Sequence, residues 1–270
     1  MFARYLMIGL AAASIVLLFF GFTNDMLYAK IAIPFVILLA VTYILSPQIN
    51  WWFYQRNPIK LDKRIVFMLK QQHSFYRQLN TGDQQKFEHR LSLAMMGLDF
   101  MPMVMEEIPE DLKAVLVANL VQLTFGQEEF MLQEKFEKII IYPSAFPSPQ
   151  FPKQFHTSEI YEEDGVMMFS APHLLKGFAQ PDLYYNSGMH ECAQAFLRAY
   201  PNKDYPRLSD TIWEDLEVIS RFSQAKIQEW IGLEEVDVMP VAITHFMLFP
   251  VAFAQQQPKL FKQFRAIFAH

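Results

Sequence analysis

The residues best suited to chemistry lie in one short run, GMHECAQAF, residues 188–196. His190 and Glu191 begin the pattern H-E-x-x-H, in which two histidines one helical turn apart grip a zinc ion and the glutamate between them activates water. Gln194 stands where the second histidine belongs. An amide oxygen carries no charge and is a weak zinc donor, so the spacing survives while the ligand strength falls. Taken alone, a His-Glu pair on an apolar helix also reads as hydrogen-bonded structure.

These residues must be carried by a helix. Asn186 or Ser187 can cap it, Met189, Cys192, Ala193, Phe196 and Leu197 give it an apolar face, and Pro201 ends it. Upstream, apolar spacing predicts a helix over Lys63 to Leu79, a break and cap at Asn80 and Thr81, and a second helix through Met96. Pro109 opens a very apolar helix, Leu112 to Phe125, and the charge-rich QEEFMLQEKFEK that follows reads as a solvated face. Ile139 to Tyr142 is a strand stopped by Pro143, followed by a proline-rich extended loop, and GVMMFS (165–170) is a second strand candidate. Ser209 or Asp210 caps a long helix running through Trp230 and closed by Gly232. Pro240 starts the last helical stretch, kinked by Pro250 and interrupted at Pro258. Strands flanked by helices in this order predict an α+β domain, mostly helical with a small sheet.

The N-terminal part is different in kind. Tyr5 to Phe22 is an uncharged apolar run long enough to cross a bilayer, and Ala32 to Leu45 is a second, lengthened by Leu27 to Ile31 with Lys30 able to snorkel. A membrane hairpin over residues 1–50 is the economical reading. A signal peptide would account for the first run, but a second run follows and no A-x-A cleavage site separates them, while a buried core helix would account for the second. Residues 51–62, beginning with Trp51, Trp52, Phe53 and Tyr54, form a juxtamembrane linker, and 63–270 the remaining domain. Arg4 before the first span and Arg56, Lys60, Lys63 and Arg64 after the second place both outer ends in the cytoplasm, with the domain hanging from the inner membrane.

A lone cysteine, Cys192, agrees with a reducing compartment and excludes an internal disulfide framework. The net charge of −5 and the lack of a basic stripe beyond the juxtamembrane cluster argue against nucleic acid as a partner. His73, His89, His156 and His173 have no partner at helical spacing and read as loop or surface histidines.

Several segments together resemble the Mlc titration factor A family of zinc-dependent peptidases over about residues 76–268: LNTGDQQKFEHRLSLAMMG, FEKIIIYPSAF with its strand ending in Tyr-Pro, GVMMFSAPHLLKGF, GMHECAQAF and THFMLFPVAFAQQQPKLF. The resemblance implies a gluzincin-like fold, a zinc ion held by the two motif histidines and a glutamate on a later helix, and the motif glutamate as general base. Carried onto this chain, the first histidine is His190 and the base Glu191; the second histidine position is Gln194, the glutamate ligand falls on His245, and a tyrosine that would assist the reaction falls on Val238. Two readings follow. In one, the site has decayed, zinc is weakly held or absent, and the domain is a binding or regulatory module for a protein or peptide in the cytoplasm. In the other, the chain is an active zinc peptidase with a rearranged metal set, His190, His245 and Gln194, and Glu191 as general base. The plainer reading of His245 is a packed core histidine in an apolar helix.

Overall fold

A computed structural model describes residues 2–57, 59–132 and 136–268. Residues 133–135, in the middle of the charge-rich stretch expected to form a solvated face, lie outside the described residues. The chain divides into two compact units, residues 1–59 and 60–270.

The first unit is helical. Helices α1 (Phe2–Thr23) and α2 (Met26–Ile44) are both long and apolar enough to cross a membrane, and most of their large side chains are exposed. Asp25 caps α2 by accepting from the Leu27 amide at 2.9 Å. The two helices close tightly because Gly21 has no side chain: a Cβ there would meet Ala29 N and Cβ at 2.8 Å. Helix α3 (Ser46–Arg56) returns to the start of α1, where Asn50 Oδ1 accepts from the Ala3 amide at 2.8 Å and Phe2 stacks on Phe53. The residues expected as linker are thus helical through Arg56, because no helix breaker lies between Pro47, in the first turn of α3, and Pro58.

The second unit begins with α4 (Lys63–Gln72) and α5 (Ser74–Gln78). The expected single helix is cut at His73, whose extended backbone lets its Nδ1 accept from the Tyr76 amide at 3.1 Å and cap α5. Helix α6 (Thr81–Gly97) is capped by Asn80 as its sequence predicts. Strand β1 (Asp99–Pro102) leads to α7 (Glu110–Leu123), of which every residue from Ala114 to Leu123 is buried. Burying its Leu and Val side chains contributes roughly 1.5–3 kcal/mol each, which makes α7 the axis of the core.

Strands β2 (Lys138–Tyr142), β3 (Ser158–Tyr161) and β4 (Val166–Ser170) complete a sheet of order β1-β2-β4-β3. The pairings β1–β2 and β2–β4 are parallel, and β3–β4 is an antiparallel hairpin turning at residues 162–165. Both predicted strands are present; β1 and β3, four residues each, carry no run long enough to announce them.

Helices α8 (Ala171–Ala179) and α9 (Ser187–Ala199) follow β4. The predicted helix through Trp230 is two, α10 (Ile212–Ser220) and α11 (Gln224–Ile231), separated where Arg221 takes a left-handed backbone, φ 69°. Gly232, also left-handed at φ 87°, closes α11. Helices α12 (Val238–Leu248) and α13 (Pro250–Gln256) meet at a 117° bend at Pro250, and α14 (Pro258–Phe268) ends the described chain. Helix α9 packs on α7, α8, α12 and β3, and so stands at the junction of sheet and helical core.

Candidate functional site

Helix α9 starts where it does because Asn186 Oδ1 accepts from the Met189 amide at 2.9 Å while its Nδ2 donates to Asn119 Oδ1 on α7 at 3.0 Å. Met189, Cys192, Ala193 and Phe196 are fully buried against the core. The opposite stripe, His190, Gln194 and Arg198 at four-residue spacing together with Glu191, lines a cleft of about 550 Å³. Ser158 and Glu159 of β3 form another wall, and the Glu234 to Asp237 segment before α12 a third.

His190 is 2% exposed, and its Nδ1 lies 2.8 Å from the Tyr185 hydroxyl. Burial lowers its pKa to about 3, helped by the neighbouring His245, so the ring is neutral. Burial also pushes the Tyr185 phenol well above its ordinary value, which keeps it protonated and able to donate. Glu191 Oε1 accepts from Ser158 Oγ at 2.7 Å, and Oε2 is buried without a partner. Burial raises the Glu191 pKa to about 7; the Ser158 hydrogen bond and Arg198 oppose the rise and Glu159 adds to it.

Glu159 is also nearly inaccessible. Its Oε2 lies 2.8 Å from His156 Nε2, and its Oε1 has no partner. His156 packs its ring edge-on to Phe146 and is fully buried, and His73 is buried against Phe87 and Phe178. These two are core histidines, not the loop or surface residues that their lack of helical partners predicts; His89 and His173 are partly exposed.

The structure therefore brings His190, Glu191 and Gln194 together on one cleft. His245 does not line it. That side chain is 1% exposed on α12, and its Nδ1 lies 2.7 Å from the Val241 carbonyl. A carbonyl can only accept, so Nδ1 carries the proton and Nε2 accepts from Ser220 Oγ at 2.7 Å. Burial lowers the His245 pKa to about 4, consistent with one proton on the ring. Both imidazoles adjoin the Tyr185 ring, at centroid distances of 5.7 Å for His190 and 6.3 Å for His245. Val238 is a half-buried residue at the start of α12, packed on the core and outside the cleft wall. Among the described residues, no three His, Cys, Asp or Glu side chains are grouped so as to hold a metal ion.

Tyr185, Ser158, Glu159 and Ser220 escape a sequence reading. Tyr185 precedes the helix, in a turn without periodicity, and the Ser158-Glu159 pair sits in a four-residue strand after a proline-rich loop. Their roles come from contacts over long sequence separations, 33 residues for Ser158 to Glu191 and 25 for Ser220 to His245.

Compared with known proteins, the chain matches the family model described as glucose-regulated metallo-peptidase M90 over residues 50–269. No curated protein sequence gives a match.

Proposed function

Because the chain belongs to the glucose-regulated metallo-peptidase M90 family, the family of Mlc titration factor A, we propose that it is a membrane-anchored member that has kept the fold and the cleft of α9 and lost the hydrolytic chemistry. It serves as a binding or regulatory module for a protein or peptide. The observation that carries this reading is the donor set. In the cleft, His190 has one ring nitrogen left after Tyr185 takes Nδ1, Gln194 offers an amide, and Glu159 and Glu191 have one oxygen each, yet among the described residues no three His, Cys, Asp or Glu side chains are grouped on one point. A catalytic zinc is held by three strong protein ligands converging on one point with an open fourth position, and this set does not supply them. His245 has both nitrogens committed within its own fold. Val238 supplies no donor for a developing oxyanion either, and loss of such a donor costs about 10²–10³ in rate.

The rearranged set His190, His245 and Gln194 is the second reading, and the shared neighbour Tyr185 favours it. It requires His245 to release Ser220. For the anchor, α1 and α2, both long and apolar enough, serve in this proposal as the two spans, and the basic residues Arg56, Lys60, Lys63 and Arg64 support a cytoplasmic side for the domain.

The test is elemental analysis of the detergent-purified full chain, paired with a peptide-hydrolysis assay of the chain and of Glu191→Gln. The expected result is zinc well below one per chain and no hydrolysis above the Glu191→Gln background. Gln194→His should raise the zinc content. Stoichiometric zinc in the natural chain with Glu191-dependent cleavage would overturn the proposal.

A further inference from the structure

Two carboxylates in the α9 cleft are half-used. Glu191 and Glu159 are 2% and 4% exposed, both line the cleft, and each has one buried oxygen without a hydrogen-bond partner, Oε2 of Glu191 and Oε1 of Glu159. The remaining oxygen of each is filled, by Ser158 Oγ at 2.7 Å and His156 Nε2 at 2.8 Å. Buried carboxylate oxygens without donors are costly to a fold and need an explanation. Two in one cleft point to something that enters it.

The rest of the lining carries the same sign. Glu234, Glu235 and Asp237 face the cleft beside these two, against a single cation among the described lining residues, Arg198, which lies 3.7 Å from Glu162. The cleft's volume, about 550 Å³, is in the range that holds a small ligand or a few residues of a peptide. The donor-hungry oxygens belong to different carboxylates. A guanidinium uses its parallel fork best on the two oxygens of one carboxylate, and here neither carboxylate has both free. An ammonium is a compact charge with three donors that can bridge single oxygens from separate groups, and the Gln194 amide oxygen offers a third acceptor.

We propose that the α9 cleft binds a primary ammonium group, a lysine side chain or a free N-terminus of a polypeptide, between the unpartnered oxygens of Glu159 and Glu191, with Gln194 as the third acceptor. The inference rests on the binding-module reading above and names the chemistry that such a module recognises. Gln194, a poor zinc ligand, is an adequate acceptor in this role.

The test titrates the detergent-purified full chain, by calorimetry, with four C-amidated alanine heptapeptides. Three are N-acetylated with lysine, arginine or N-acetyl-lysine at the centre, and the fourth has a free N-terminus and only alanine side chains. The lysine or the free-amine peptide, or both, should bind at least tenfold tighter than the arginine and acetyl-lysine peptides, and whichever binds identifies the source of the ammonium. Glu159→Gln and Glu191→Gln, nearly isosteric, should each weaken that binding at least tenfold. Equal affinity for all four, no binding of any, or unchanged binding in both variants would overturn the inference. Mass spectra of the recovered peptides separate the two proposals: cleavage defeats the binding-module reading and leaves the ammonium preference standing, whereas intact peptides that never bound defeat the inference alone.

Discussion

Ser220 Oγ holds His245 Nε2 at 2.7 Å, inside the fold and away from the cleft. Ser220→Ala would strand a buried acceptor, which costs roughly 1–3 kcal/mol. The expected outcome is that loss in a urea unfolding titration, with no gain in bound zinc. A rise in zinc content would show that freeing the nitrogen is enough to recruit His245 as a ligand.

Glu191→Gln should stabilise the domain at alkaline pH. The folded carboxyl has a pKa of about 7 against an ordinary 4.5, so between these values the folded state holds a proton that the unfolded state has released. Stability therefore falls as pH rises through that window and stays low above it. Glutamine keeps the hydrogen bond from Ser158 without the charge. A gain on the order of 3 kcal/mol or less is expected at pH 8, shrinking toward zero near pH 4.5, and thermal melts at both pH values measure it.

The buried histidines set the opposite limb. His73, His190 and His245 have folded pKa values of about 3, 3 and 4, below the ordinary 6.5. The unfolded chain takes up these protons below pH 6.5 and the folded chain does not, so stability is lost as pH falls from 6.5 toward 4. His73→Asn keeps a capping side chain for α5 and removes one of the three protons. It should make the acid limb shallower by about 1.4 kcal/mol per pH unit, read from urea midpoints between pH 6 and 4.5.

Gly177→Ala should be among the costly single-methyl changes. A Cβ at this position on α8 would meet the Tyr185 carbonyl at 2.5 Å and Asn186 Cα at 2.8 Å, both backbone. Those two residues hold His190 and cap α9. The expected loss is roughly 1–3 kcal/mol in thermal or urea unfolding, the range for forced overpacking. Gly9→Ala, where nothing lies within 4 Å, is the matched control and should be neutral or slightly stabilising.

What the sequence discloses about this molecule is mostly local. The cap at Asn186, the strand ending at Tyr142, the left-handed stop at Gly232 and the apolar helices α1 and α2 each depend on neighbours within one turn or one run. The breaks at His73 and Arg221 are harder to read, because neither is a glycine or proline: His73 acts as a cap through its ring nitrogen and Arg221 takes a left-handed backbone. His156 and His73 look like surface residues in isolation and are buried because aromatic rings arrive from elsewhere in the chain. For the candidate site, spacing sets His190, Glu191 and Gln194 on one helical stretch, and the resemblance of the surrounding segments is what singles them out. The half-filled carboxylate Glu159 and the Ser220 tether of His245 depend on which strand and which helix end come to lie beside them.

The sheet's mixed pairing also orders events during synthesis. Strand β1 must wait for β2, more than thirty residues later, before it has anything to pair with, whereas β3 and β4 are joined by a turn at residues 162–165 in which Gly165 adopts φ 62°. A local antiparallel hairpin zips far faster than a distant parallel pair. Ser158 and Glu159 thus ride on a hairpin whose pairing does not need the segment bearing Glu191. One wall of the cleft is set by local pairing, while its junction with α9 rests on a contact 33 residues away in sequence.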